Sequence, residues 1–151
     1  EFAKNTKIAP DAKYSAQDAQ FDTQKNLKVV RITAVKERML YDITRFEVKA
    51  GQPVKLEFIN PDATPHNLVI VKPGAGDEVG LAATRMAADP KLAKSGQYIP
   101  KSDKVLFHTR MVPPIAGETL RFKAPSEPGE YPYICSFPGH WTIMKGVMVV
   151  K

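Results

Sequence analysis

Apolar and polar positions alternate in short runs along most of the chain, the pattern of strands with one buried face. Leu27 to Val35 alternates and is β-branched at Val29, Val30, Ile32 and Val35. Met39 to Val48 is a second, less regular run, and Ala50-Gly51-Gln52-Pro53 is a turn. Val54 to Ile59 alternates with Val54, Leu56 and Phe58 on one face. A loop with Pro61 and Pro65 leads into a strand at His66 to Val71. The rhythm then changes. Asp77 to Ala88 carries Val79, Leu81, Met86 and several alanines among good helix formers, which predicts a helix of about three turns ended at Pro90. Strand patterns return at Val105 to Val112, broken by Pro113-Pro114, and at Glu118 to Lys123. The last two run from Tyr131 to Cys135 and from Met144 to Val150. About eight short strands with regular turn signals and one inserted helix predict an all-β sandwich or barrel. Residues 1–26 are polar and irregular and read as a flexible tail or linker before a domain at 27–151.

Composition narrows the class little further. The 151 residues suit one domain, and a hydrophobic fraction of 43% supports a real core. No apolar run approaches the roughly 18 residues of a membrane-spanning helix. Glu1-Phe2-Ala3-Lys4 lacks the basic-then-apolar opening of a signal peptide, and the absent starting Met suggests a processed or excised chain. The net charge of +6 suits acidic partner surfaces or an anionic membrane face, and equally plain solubility. No basic patch interleaved with aromatics points to nucleic acid.

The chemistry gathers in Tyr131 to Val150, where the single cysteine, Cys135, precedes His140 and Met144 with the spacing Cys-x4-His-x3-Met. Taken singly, each has an ordinary reading: Met144 as packing, Cys135 as a small hydrophobe, His140 as a loop residue. Pro138-Gly139 imposes a tight turn between Cys135 and His140, so their side chains can converge. Thiolate, imidazole and thioether form a soft donor set, which selects copper over magnesium, calcium or manganese. Two histidines, a cysteine and a weak axial methionine are the ligands of a blue-copper site. A second histidine is therefore needed. His66 opens a strand, a rigid mount for a ligand, whereas His108 alternates out of an apolar face and reads as solvated. A lone cysteine excludes an intramolecular disulfide; a thiolate held by copper is protected, so export remains compatible with it.

With these residues in place, the chain resembles the cupredoxins, the type 1 blue copper family that includes azurin, auracyanin and plastocyanin, over residues 27 to 151. Cys135-Ser136-Phe137-Pro138-Gly139-His140 followed by Met144-Lys145-Gly146 is similar to the azurin ligand loop in length and residue type. His66-Asn67 is similar to its first ligand pair, and Phe107-His108-Thr109-Arg110 to a strand whose histidine is not a ligand. The resemblance implies an eight-stranded Greek-key sandwich with a helical flap and one copper at its end. It implies His66, Cys135 and His140 as ligands, with Met144 as a long axial contact. Three departures stand out. Pro65 occupies the position whose backbone carbonyl makes a distant fifth contact in azurin, where it is a glycine, so that contact is open here. The azurin disulfide has no counterpart. Trp141 replaces a small residue beside the exposed ligand.

The expected function is single-electron transfer between redox partners, without catalysis. The resemblance implies partners such as c-type cytochromes or copper/haem oxidoreductases, docking at an apolar patch around His140 and Trp141. It also implies an exported, periplasmic or extracytoplasmic protein, with the polar N-terminal segment serving as a membrane tether or a fusion linker. Two other readings compete. A copper oxidase or nitrite reductase needs further histidine clusters, and only His108 is left over. A copper carrier needs a site that exchanges metal readily, unlike a rigid four-ligand one.

Overall fold

The computed structural model describes residues 14–151. Two sheets face each other across one core. In chain order the strands are β1 (Lys28–Val35), β2 (Leu40–Tyr41), β3 (Arg45–Val48), β4 (Pro53–Asn60), β5 (Val69–Val71), β6 (Val105–His108), β7 (Ala116–Lys123), β8 (Gly129–Ile134) and β9 (Lys145–Val150). The first sheet has the order β2-β1-β4-β7 and the second β3-β9-β8-β5-β6. The pairings β1–β4 and β3–β9 are parallel, and the others are antiparallel. A helix α1 (Ala16–Asp22) precedes β1, and helix α2 (Gly76–Ala88) and the short α3 (Pro90–Ala93) are inserted between β5 and β6.

Alternation works as expected in β1 and β4. Ile32, Val54, Leu56 and Phe58 are fully buried from the first sheet, against Ile70, Tyr133 and Met148 from the second. Each such side chain contributes about 1.5–3 kcal/mol by leaving water. Tyr133 anchors the middle of the core. Its ring meets Tyr41 edge-on at 5.3 Å, and its hydroxyl donates to the Ile43 carbonyl at 2.6 Å, so the buried phenol is satisfied. Opposite it in the ladder stands Gly146, whose missing side chain leaves the space that the phenol fills. A second, smaller cluster of Val69, Val71, Ala75, Val79 and Ile134 seats α2 on the outer face of the second sheet.

The structure departs from the sequence pattern in four places. The run Met39 to Val48 is two strands, one in each sheet. Asp42 breaks it: its carboxylate accepts the Thr33 N–H at 2.7 Å and its own N–H donates to the Thr33 carbonyl at 2.9 Å, which ends the β1–β2 ladder. The run Val105 to Val112 ends as a strand at His108, because the Thr109 hydroxyl, not a backbone carbonyl, receives the Leu68 N–H. Pro90 begins α3 as well as ending α2; Asp89 caps α3 by accepting the Lys91 N–H at 2.9 Å.

The fourth departure lies in the segment read as a tail. Residues 1–13 lie outside the described residues, but Ala16–Asp22 forms helix α1. Ser15 and Asp18 make a reciprocal capping box at its start. The helix docks on the outer face of the first sheet through charge. Asp22 receives two hydrogen bonds from Arg121 at 2.9 and 3.1 Å, pairs with Lys55 at 3.1 Å, and accepts the Tyr14 hydroxyl at 3.0 Å. The Tyr14 ring covers the same guanidinium at 5.3 Å. These donors hold the Asp22 carboxyl far below the ordinary carboxylate range, Arg121 foremost, against the opposing effect of burial.

Candidate metal centre

Three segments meet at one end of the sandwich. One is the loop from β4 to β5, another is the stretch after β6, and the third is the loop from β8 to β9. His66 is not inside β5; it sits before it in an isolated bridge with Val112, bonded both ways at 3.2 and 2.8 Å. Asn60 stitches this end together, its amide donating to the carbonyls of Thr64, Val112 and Pro113. In the other loop, the Cys135 N–H donates to the Met144 carbonyl at 3.0 Å and the Met144 N–H to the His140 carbonyl at 2.8 Å. The segment between the strands is thus a ring closed by its own backbone. Gly139 takes φ +83°, which fits it to the turn before His140.

The structure brings His66, Cys135 and His140 together, with their candidate ligand atoms all within 4.8 Å of one another. The Cys135 sulfur lies 3.8 Å from His66 Nδ1 and 3.6 Å from His140 Nδ1. Both separations are short enough for a single ion to bridge sulfur and nitrogen with bonds of about 2.0 Å to nitrogen and 2.3 Å to sulfur. Two imidazole nitrogens and one thiolate, with a thioether in the same loop, form a soft donor set that fits copper. Met144 is fully buried at the end of the ring, and Pro65 is half-buried beside His66. His108 stays outside the cluster, exposed at the end of β6, with Nδ1 2.9 Å from the Thr109 carbonyl.

Burial sets the resting protonation. It pushes the Cys135 thiol up to about 11, although the N–H groups of Asn67 and Phe137 bear on the sulfur and favour the thiolate. Burial, and then the neighbouring His66, push His140 down to about 4. The metal-free form at neutral pH is therefore a thiol beside a neutral His140 imidazole.

The ligands are held by neighbours, some of whose partners lie far along the chain. Asn67 donates to the Ser136 hydroxyl and accepts the Ser136 N–H, both at 2.8 Å, which ties the residue after His66 to the residue after Cys135. Its carbonyl accepts the Tyr41 hydroxyl at 2.6 Å. Asp62 Oδ2 lies 2.9 Å from His66 Nε2, a contact whose only sequence trace is the four-residue spacing. Phe137 packs against the His140 ring with centroids 4.8 Å apart. Trp141 donates its indole N–H to the Thr84 hydroxyl at 3.0 Å and lies over Gly80 of α2. The indole expected at the free rim of the site is thus, first, a brace between the ligand loop and α2, and only partly exposed.

The profile of the copper-binding proteins of the plastocyanin/azurin family matches residues 28–151. Auracyanin-A of Chloroflexus aurantiacus is 33% identical over 125 residues, 81% of this chain and 74% of that protein. An azurin of Achromobacter denitrificans is 37% identical over 89 residues, 57% of this chain and 56% of that protein, so the match spans little more than half of the azurin. Among solved structures, the dithionite-reduced auracyanin of the photosynthetic bacterium Roseiflexus castenholzii superposes with a TM-score of 0.72 at 33% identity, covering 82% of this chain and 97% of that one.

Proposed function

The chain belongs to the plastocyanin/azurin family of copper-binding proteins, and from that premise we propose how its own residues hold and use the metal. It is a type 1 blue copper electron-transfer protein. Bound copper supplies a one-electron couple between Cu(II) and Cu(I). The atoms that would hold it are His66 Nδ1, Cys135 Sγ and His140 Nδ1. The single observation that carries this is the convergence of three buried donor atoms of the required types within 4.8 Å. Met144 would add its thioether to the set, a role supported by its full burial at the end of the same closed ring. The Pro65 carbonyl, next to His66 in the chain, would be a further weak donor.

Fast electron transfer requires ligands that move little between the two oxidation states. The Asn67–Ser136 pair fixes the first ligand segment to the second. The Cys135–Met144 backbone bond fixes the spacing of the loop ends. N–H groups of Asn67 and Phe137 stabilise charge on the sulfur. With these positions filled by side chains, none is left for a substrate, and we assign no turnover chemistry.

His140 is only 6% exposed, yet it is the ligand whose loop faces solvent at Gly139, Thr142 and Ile143. Its ring is the exit for electrons. Ile143 is exposed and Trp141 half-buried in the same loop, apolar surface of the kind that suits weak, transient docking around His140. The partners are redox proteins such as c-type cytochromes or copper/haem oxidoreductases. We place the protein outside the cytoplasm, with the N-terminal segment as a tether or interdomain linker. No helix among the described residues is long and apolar enough to cross a membrane.

Copper titration tests the core of the reading. One Cu(II) per chain should give an intense red-region absorption, lost in Cys135→Ser and bleached by one electron equivalent of reductant. A colourless copper-loaded protein would refute it.

A further inference from the structure

Asp62 stands outside the ligand set, yet its carboxylate is built into it. Only 6% of the residue is exposed, and each oxygen is engaged. Oδ1 accepts the N–H of Ala63 at 2.8 Å and of Glu37 at 3.3 Å. Oδ2 faces His66 Nε2 at 2.9 Å. Asp62 is itself held by Asn60, whose side-chain oxygen accepts the Asp62 N–H at 3.0 Å. The carboxylate is thus oriented before any metal arrives.

An ionised carboxylate only accepts hydrogen bonds. The His66 ring must therefore carry its proton on Nε2, which leaves the Nδ1 lone pair on the side of the Cys135 sulfur, 3.8 Å away. Both carboxylate oxygens are already placed as acceptors in this arrangement, Oδ1 for two backbone N–H groups and Oδ2 for the His66 ring. We propose that Asp62 is a positioning residue for the metal. It fixes His66 in the metal-ready tautomer, and it sets a full negative charge one imidazole ring away from the ion, favouring Cu(II) over Cu(I) and so lowering the reduction potential.

The proposal rests on the copper reading of the site. A backbone carbonyl in the same place would orient the ring equally well but would add only a dipole. The charge acts through a buried path, where electrostatic effects are weakly screened. Carboxylate partners of metal-bound histidines raise ligand basicity, and their loss typically costs about 10–100-fold in metal affinity.

Two measurements test it. The first uses wild-type protein without metal: nitrogen-15 imidazole spectra should place the His66 proton on Nε2, and a proton on Nδ1 would overturn the proposal whatever the variants do. The second compares midpoint potentials. Asp62→Asn keeps an acceptor oxygen and removes the charge. It should remain blue and shift the Cu(II)/Cu(I) equilibrium at least tenfold toward Cu(I), about 59 mV for one electron. Asp62→Ala should show the same direction and bind Cu(II) about 10–100-fold more weakly. A blue Asp62→Asn protein with an unchanged midpoint overturns the electrostatic role. A wild-type protein that never turns blue refutes the copper reading instead, so the two failures are distinct. If neither variant folds, the wild-type tautomer decides.

Discussion

Replacing Gly80 with alanine sets two effects of opposite sign against each other. Gly80 lies in the interior of α2, buried under the Trp141 indole. Helix propensity alone favours alanine by about 1 kcal/mol. Contact opposes it. A Cβ at this position would come within 2.7 Å of Trp141 Cγ, and closer still to Cδ2 and Cε3. These are atoms of a rigid ring in the ligand loop, so relief requires the whole indole to lift. Overpacking of this kind costs about 1–3 kcal/mol. Lifting the indole also pulls its N–H from the Thr84 hydroxyl, now at 3.0 Å, which is worth about 0.5–1.5 kcal/mol. The losses exceed the gain by about 2 kcal/mol.

Gly80→Ala should therefore lower the melting temperature of the metal-free protein by roughly 4–8 °C, by the usual relation for a chain of this size. Because Trp141 follows His140 directly, the copper-loaded variant should also show an altered visible spectrum. Thermal unfolding followed by circular dichroism, with the absorption spectrum recorded before each melt, checks both. A variant stabilised by about 1 kcal/mol with unchanged colour would mean that propensity alone operates and that the indole moves freely, which would refute the brace.

Other expectations concern protons, the N-terminal helix and the core. Because the Cys135 thiol lies at about 11 and His140 at about 4, copper uptake near neutral pH should release one proton from Cys135 and none from His140; calorimetry in buffers of different ionisation enthalpy counts it. Asp22 has a carboxyl depressed in the folded state, so its contribution is present above the ordinary carboxylate range and is lost as pH falls through and below that range. Hydrogen exchange of α1 should therefore accelerate in acid before that of β1 does, and Asp22→Asn should reproduce this at neutral pH with a local loss of about 1.5–3 kcal/mol. Gly146→Ala drives a methyl group into the Tyr133 phenol and should destabilise by about 1–3 kcal/mol in denaturant titration, against no change if the strands can part there. Thr84→Val should cost about 0.5–1.5 kcal/mol and leave the copper content at one per chain.

Much of the site was legible because its signal is local. Cys135, His140 and Met144 sit in one loop between two apolar runs, and Pro138-Gly139 brings Cys135 and His140 to one point without reference to the rest of the chain. β1 and β4 were equally plain, since each alternates over its first part before a run buried on both faces. What sequence could not supply depends on partners far along the chain. The capping residues of α1 are visible at Ser15 and Asp18, but a helix of seven residues with no buried side chain persists only through Asp22 and Arg121, 99 positions apart. Trp141 looked like a rim residue because nothing near it in sequence announces Gly80 and Thr84, the latter 57 positions away. The split at Asp42 escaped because a hydrogen bond from a neighbouring strand, rather than any turn residue, ends β2. Asp62 lies in the loop before His66 with nothing but its spacing to mark it, since the ring it orients is defined only once His66 is known to be turned inward.

The two sheets carry unequal obligations. Cys135 and Met144 abut β8 and β9, and His66 leads to β5, three adjacent members of the same five-stranded sheet. The helix α1 rides on the other sheet, on β4 and β7, and its anchoring residues Lys55 and Arg121 point away from the core. Tension applied through the N-terminal segment is therefore received first by side-chain ion pairs on the sheet that supplies no ligand. The anchorage of the N-terminal helix and the mounting of the metal centre are thus kept on separate sheets, with the core between them.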